Sequence, residues 1–105
     1  GLYKSREIEG AVIRGNLVTS GFGHNFPDLI YVVADTNSTA YYVKDVLIED
    51  NTLQGGYNIR LEGDAAGGGT GNVIRGNVST GSGAIRVSTA ANAATTDNPG
   101  FTVQP

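Results

Sequence analysis

Apolar residues recur along this chain in short bursts of alternation, never over the length of a helix. Ile13 stands before Arg14, Ile48 before Glu49 and Ile74 before Arg75, and each isoleucine is followed three residues later by an asparagine: Asn16, Asn51 and Asn77. A second set, Ile30-Tyr31-Val32, Ile59-Arg60-Leu61 and Ile85-Arg86-Val87, places two aliphatics around one polar or aromatic residue. A period of two marks a half-buried strand, whose successive side chains point to opposite faces. The pattern predicts that the isoleucines, Val32, Leu61 and Val87 face a core. Arg14, Glu49, Arg75, Tyr31, Arg60 and Arg86 then face outward. A helical reading fails on Gly15, Gly55, Gly56, Gly63 and the glycines at 67–69, because glycine costs about 1 kcal/mol in a helix interior.

The bursts repeat. VIRGN occurs at 12–16 and again at 73–77, and VLIEDN at 46–51 is the same pattern with other outward letters. Aligning the asparagines gives spacings of 35 and 26 residues, and Gly55 with Gly81 keeps the second. Each unit reads as strand, Asn corner, Gly-containing turn, strand and loop. The length differences fall in the loops, where insertions are tolerated best: Phe22 to Pro27 in the first unit, then 34–45 and 62–71. One such unit cannot bury its apolar face alone. Stacked at about 4.8 Å, each isoleucine sits on the next. A buried Asn amide at the corner can donate to, and accept from, the corners on either side, and leaving such groups unpaired costs about 1–3 kcal/mol each. The expectation is an all-β fold, a parallel solenoid of about three coils held in register by an Asn ladder (Asn16, Asn51, Asn77). A right-handed coil is the expectation from the general chirality of parallel crossovers, not from the residues themselves.

Residues 1–10 are expected to be a lead-in or the end of a preceding coil, 11–87 the coils, and 88–105 an exit segment. The stretch from Ser88 to Asp97 is rich in Ala, Thr and Asn and loses the apolar period, and Asn98-Pro99-Gly100-Phe101 reads as a turn. Composition agrees with short strands and tight turns: 16 glycines in 105 residues, with no Cys, Met or Trp. Without cysteine there is neither a disulfide framework nor a thiolate metal site, and one histidine, His24, does not make a multi-His centre. A net charge of −3, with seven basic residues scattered singly, is a poor footprint for nucleic acid. No apolar run approaches the ~18 residues of a membrane span. The start at Gly1 rather than Met suggests a piece of a longer protein.

Three outward columns carry the candidate chemistry. Arg14, Glu49 and Arg75 alternate in sign and suit a surface ion-pair ladder. Val12, Leu47 and Val73 are aliphatic yet point outward, suggesting cover by a loop or an interface, such as a homotrimer. Tyr31, Arg60 and Arg86 put an aromatic ring beside two guanidinium groups, which can stack on a sugar and bind its hydroxyls or carboxylate. The competing reading is a self-satisfied cation–π stack. Asp35 and Asp64 each lie five residues after a strand isoleucine, so one strand spacing would separate them. That is near the spacing of a retaining glycosidase pair. It also suits calcium, with Glu62 as a further ligand. Alternatively, each Asp bonds its own turn. The glycines around Thr70 lack the Lys of a phosphate loop. Asn37-Ser38-Thr39 and Asn77-Val78-Ser79 fit the glycosylation pattern, the second on a ladder asparagine.

The runs Ile13-Arg14-Gly15-Asn16-Leu17-Val18 and Ile48-Glu49-Asp50-Asn51-Thr52-Leu53 resemble the coil pattern of right-handed parallel β-helices of the pectin-lyase type; the third unit departs, with Ser79 in the apolar place. The resemblance covers about Val12 to Val87. It implies a structural or carbohydrate-binding segment of a polysaccharide-recognising or -degrading protein. Phage tailspikes are the nearest context, placing it extracellularly or on a virion surface. Lyase, hydrolase or epimerase activity, and a spacer role in an adhesin, are the alternatives.

Overall fold

A computed structural model describes residues 2–4, 8–19, 28–34, 43–63, 69–88 and 91–104. Among these the chain is all strand and turn. The strands are β1 (Leu2–Lys4), β2 (Ile8–Glu9), β3 (Val12–Arg14), β4 (Leu17–Thr19), β5 (Asp28–Ala34), β6 (Val43–Lys44) and β7 (Leu47–Glu49). They continue with β8 (Thr52–Gln54), β9 (Asn58–Glu62), β10 (Asn72–Arg75), β11 (Val78–Ser79), β12 (Gly83–Val87), β13 (Ala93–Thr96) and β14 (Phe101–Gln104).

Every strand pairing among the described residues is parallel. Sheet one has the order β1-β5-β9-β12-β14, sheet two β13-β10-β7-β3 and sheet three β11-β8-β4, while β2 pairs with β6. Neighbouring strands within each sheet come from successive repeats. The repeats therefore form layers: β2–β5, β6–β9, β10–β12 and β13–β14. The registers match the sequence alignment, with Ile13 beside Ile48, Ile48 beside Ile74, and Ile30 beside Ile59 beside Ile85. A bulge between Asp28 and Ile30 absorbs one extra residue in β5.

The pairing runs on past Val87, where the apolar pattern fades. β13 lies on β10 and β14 on β12, forming a fourth layer. Thr95 stands where the earlier units carry isoleucine, which hides this layer from a hydrophobic reading. It is also narrower: Asn98 to Gly100 turn directly toward β14, and Pro99 O takes the Ser79 N–H. At the other end β1 pairs with β5, and β2 with β6.

The inward residues of all four sheets meet in one core, including Val43, Ile48, Leu53, Ile59, Leu61, Ile74 and Ile85, all fully buried. Ser79 occupies the Leu53 column in layer three; its single O–H is shared between Gly55 O and Gly81 O and its oxygen accepts from Gly81 N, so its burial costs little.

Candidate functional site

Corners flank sheet two on both sides, and their backbone sets the geometry. Gly15, Asp50, Gly76 and Asp97 all have positive φ, and each is followed by an asparagine. Gly10, Asp45, Gly71 and Asn92 share the positive φ at the opposite edge. Only Gly, and to a lesser degree Asn and Asp, adopts that conformation readily. The two columns alternate Gly with Asp or Asn because of the layer spacing. A side chain at Gly76 would meet the Asp50 carboxylate, and one at Gly71 the carboxylate of Asp45.

The ladder runs one way. Asn16 donates its backbone N–H (3.0 Å) and its side-chain amide (2.9 Å) to Asn51 Oδ1. Asn51 donates in the same way to Asn77 Oδ1, at 3.0 and 2.9 Å. Asn77 then donates to Asn98 Oδ1, at 3.1 and 2.9 Å. Each Nδ2 from Asn51 onward also bonds an isoleucine carbonyl of the layer before: Ile13, Ile48 and Ile74. Asn16, Asn51 and Asn77 are thus joined as one column. Asn98, which the sequence reading assigns to a turn, is its fourth member. The three-residue spacing from Thr95 was its available signal. Asn77, one of the two glycosylation patterns, is fully buried.

Asn72 is a buried asparagine that the sequence reading does not single out. It accepts from Val46 N and donates to Val43 O and Ala91 O, tying three layers at the opposite corner. Its neighbours in register are Ala93 and, through the Val73–Leu47 pairing, Val46; no repeated asparagine marks it out.

On the outer face of sheet two, Glu49 is clamped between two arginines. Arg14 Nε and Nη2 lie 2.8 Å from its Oε2, and Arg75 Nε 3.2 Å from its Oε1. The hydrogen bond from Arg14 is the main reason that the Glu49 carboxyl titrates below its ordinary range; the Arg75 bond and both positive charges add to it, against a smaller opposing effect of burial. Both arginine side chains remain more than half exposed, so the arrangement serves as a register clamp rather than a binding pocket. Val12, Leu47 and Val73 line up beside it, with Val12 exposed and the others half-buried.

Sheet one carries the other candidate. Tyr31, Arg60 and Arg86 fall in register on adjacent strands, with Gln104 next in line. Arg60 is ion-paired with Glu62 two residues along its own strand. Arg86 is exposed and makes no ion pair among the described residues. A shallow groove of about 140 Å³ runs between these two strands, bounded by Arg60, Glu62, Arg86 and Ser88. Its chemistry is that of a hydrogen-bonding strip with two guanidinium groups, a carboxylate and a hydroxyl, suited to hydroxyls and carboxylates.

Asp35 and Asp64 lie outside the described residues, as do His24 and Asn37, so their placement adds nothing to the proposed acid pair or calcium site. No cluster of three or more metal-ligating side chains occurs among the described residues. No helix long and apolar enough to cross a membrane occurs among the described residues. No family model, curated protein or solved structure matches the chain.

Proposed function

We propose that this chain is a segment of a right-handed parallel β-helix of the pectin-lyase type. Its role is to carry structure and to bind polysaccharide along Tyr31, Arg60 and Arg86. The all-parallel pairing, the rotation of successive strands through the same sheets, and the Asn ladder support the solenoid reading. Handedness follows from the general rule for parallel crossovers. The parent would be a polysaccharide-recognising protein, such as a phage tailspike, acting outside the cell or on a virion surface.

The observation that carries the binding reading is the Tyr31-Arg60-Arg86 register on the outer face of sheet one. Adjacent parallel strands present these side chains about 4.8 Å apart. A linear glycan lying along the stack could therefore meet one of them at each step. The exposed Arg86 guanidinium is the natural contact for a uronate carboxylate, while Tyr31 offers a ring face. A glycan array comparing the wild-type chain with Arg86→Ala and Arg60→Ala tests this. Acidic polysaccharides should bind the wild type and lose affinity in both variants. Binding that ignores both substitutions, or no binding to any acidic glycan, overturns the reading.

A further inference from the structure

The layer containing β3 and β4 has one finished face and one open face. Toward layer two it makes every contact that an interior layer makes. Away from it, among the described residues, the corner glycines, the ladder asparagine and the outward aliphatics are less covered than their counterparts in layer three. A side chain built at Gly10 or Gly15 meets nothing within 4 Å, whereas the equivalent spaces at Gly71 and Gly76 are filled by the carboxylates of Asp45 and Asp50. Asn16 Oδ1 accepts no hydrogen bond among the described residues, whereas Asn51, Asn77 and Asn98 each accept two. Arg14, like Arg75, pairs with Glu49 on the layer-two side alone, and its side chain is 59% exposed. Val12 and Leu17 are 56% and 66% exposed, beside an open apolar groove of about 590 Å³.

We propose that this face is a docking surface for a strand-corner-strand segment of the layer-two type, with the pattern Asp-apolar-apolar-apolar-Glu-Asp-Asn. The two occurrences of VIRGN are layers with Arg and Gly at the outward and corner positions, and both lie against the single Glu-Asp layer between them. The open face of the first VIRGN layer continues that interface. The incoming corner acids fill the spaces over Gly10 and Gly15. The incoming Asn donates to Asn16 Oδ1, and the incoming Glu takes the free side of Arg14. Strand addition of this kind draws affinity from backbone bonds and specificity from the side-chain positions.

A second copy of the chain fits less well. Its last layer offers Asn92, Asp97 and Asn98, but Pro99 has no N–H to give sheet three, and its β14 would need the place that β1 holds along β5.

The test is an NMR titration of the 105-residue chain with the synthetic peptide DVLIEDNTLQ, against the control peptide GNVIRGNVST. The acidic peptide should bind saturably and shift the amides of Gly10, Gly15 and Asn16. The control should bind about tenfold more weakly, since it lacks the charged acceptors. Gly15→Ala puts a methyl group into the socket and should weaken the acidic peptide about tenfold, the worth of one charge-assisted contact. It should fold, because a Cβ at Gly15 meets nothing within 4 Å; Gly10→Ala is the companion variant at the second socket. Absence of binding, equal binding of both peptides, or shifts confined to Asn92 and Asp97 overturns the proposal. So does self-association of the free chain that produces the Gly10 and Gly15 shifts, which would make the occupant a second copy.

Discussion

At the scale of single residues, the asparagines are not equivalent. Asn51 is fully buried with four side-chain hydrogen bonds, whereas Asn16 is exposed. Asn51→Ala leaves the Ile13 carbonyl and the Asn16 N–H without partners and should cost about 3 kcal/mol, against less than about 1 kcal/mol for Asn16→Ala. Urea denaturation of the two variants checks the difference. Glu49 gives a pH signature. Its folded pKa is lowered, so its contribution to stability is complete above the ordinary glutamate value of 4.5 and is lost as pH falls through the lower folded value. Glu49→Gln should therefore flatten the stability profile on the acid side of that value and leave its neutral-to-alkaline limb parallel to wild type. Thermal melts across that range measure it. The Ile-x-x-Asn spacing made three ladder positions legible because the same letters recur. Asn98 was hidden because Thr95 replaced the isoleucine that frames it. Asn72 was hidden because it occurs in one layer alone.

At the scale of elements, the strand registers follow from inward aliphatics spaced by two, which cannot slip by one residue without turning the core outward. The corner columns were less legible. Gly15 and Asp50 share a backbone conformation but look unlike on any hydropathy scale. Their alternation is steric, and it predicts unequal penalties. Gly15→Ala meets open space and should cost about 1 kcal/mol of backbone strain. Gly76→Ala carries that strain and also presses on Asp50, for a total of about 3 kcal/mol. Guanidinium melts of both variants separate the two contributions. The aliphatic column of Val12, Leu47 and Val73 belongs to this scale as well. If it seats a homotrimer, light scattering of the purified chain should give three times the monomer mass, and Leu47→Glu should return the monomer.

At the scale of the whole molecule, the fourth layer is what the composition most obscured. Ala93–Thr96 carries no large aliphatic, yet β13 and β14 cover Ile74 and Ile85, and Asn98 completes the acceptors of Asn77. Truncation after Ser88 should therefore abolish cooperative thermal unfolding rather than trim a dispensable tail. Far-UV circular dichroism melts of the truncated and complete chains decide it. The fourth layer was invisible to a search for hydrophobic periodicity because its strands are held by backbone pairing, by one ladder amide and by the scattered apolar contacts of Ala91, Ala93 and Phe101. Such contacts leave no apolar period in the sequence.

The one-way donation from Asn16 to Asn98 also has an electrical side. Four carboxamide groups point their dipoles along the same axis, and head-to-tail amides polarise one another, as peptide units do in a helix. The column therefore ends on an oxygen at Asn16 and begins that end with partial negative charge, next to the cationic Arg14. A substitution in the middle of the row weakens not one bond but the polarisation of all its neighbours. The stack has a direction that its nearly symmetric layers, viewed as shapes, do not show.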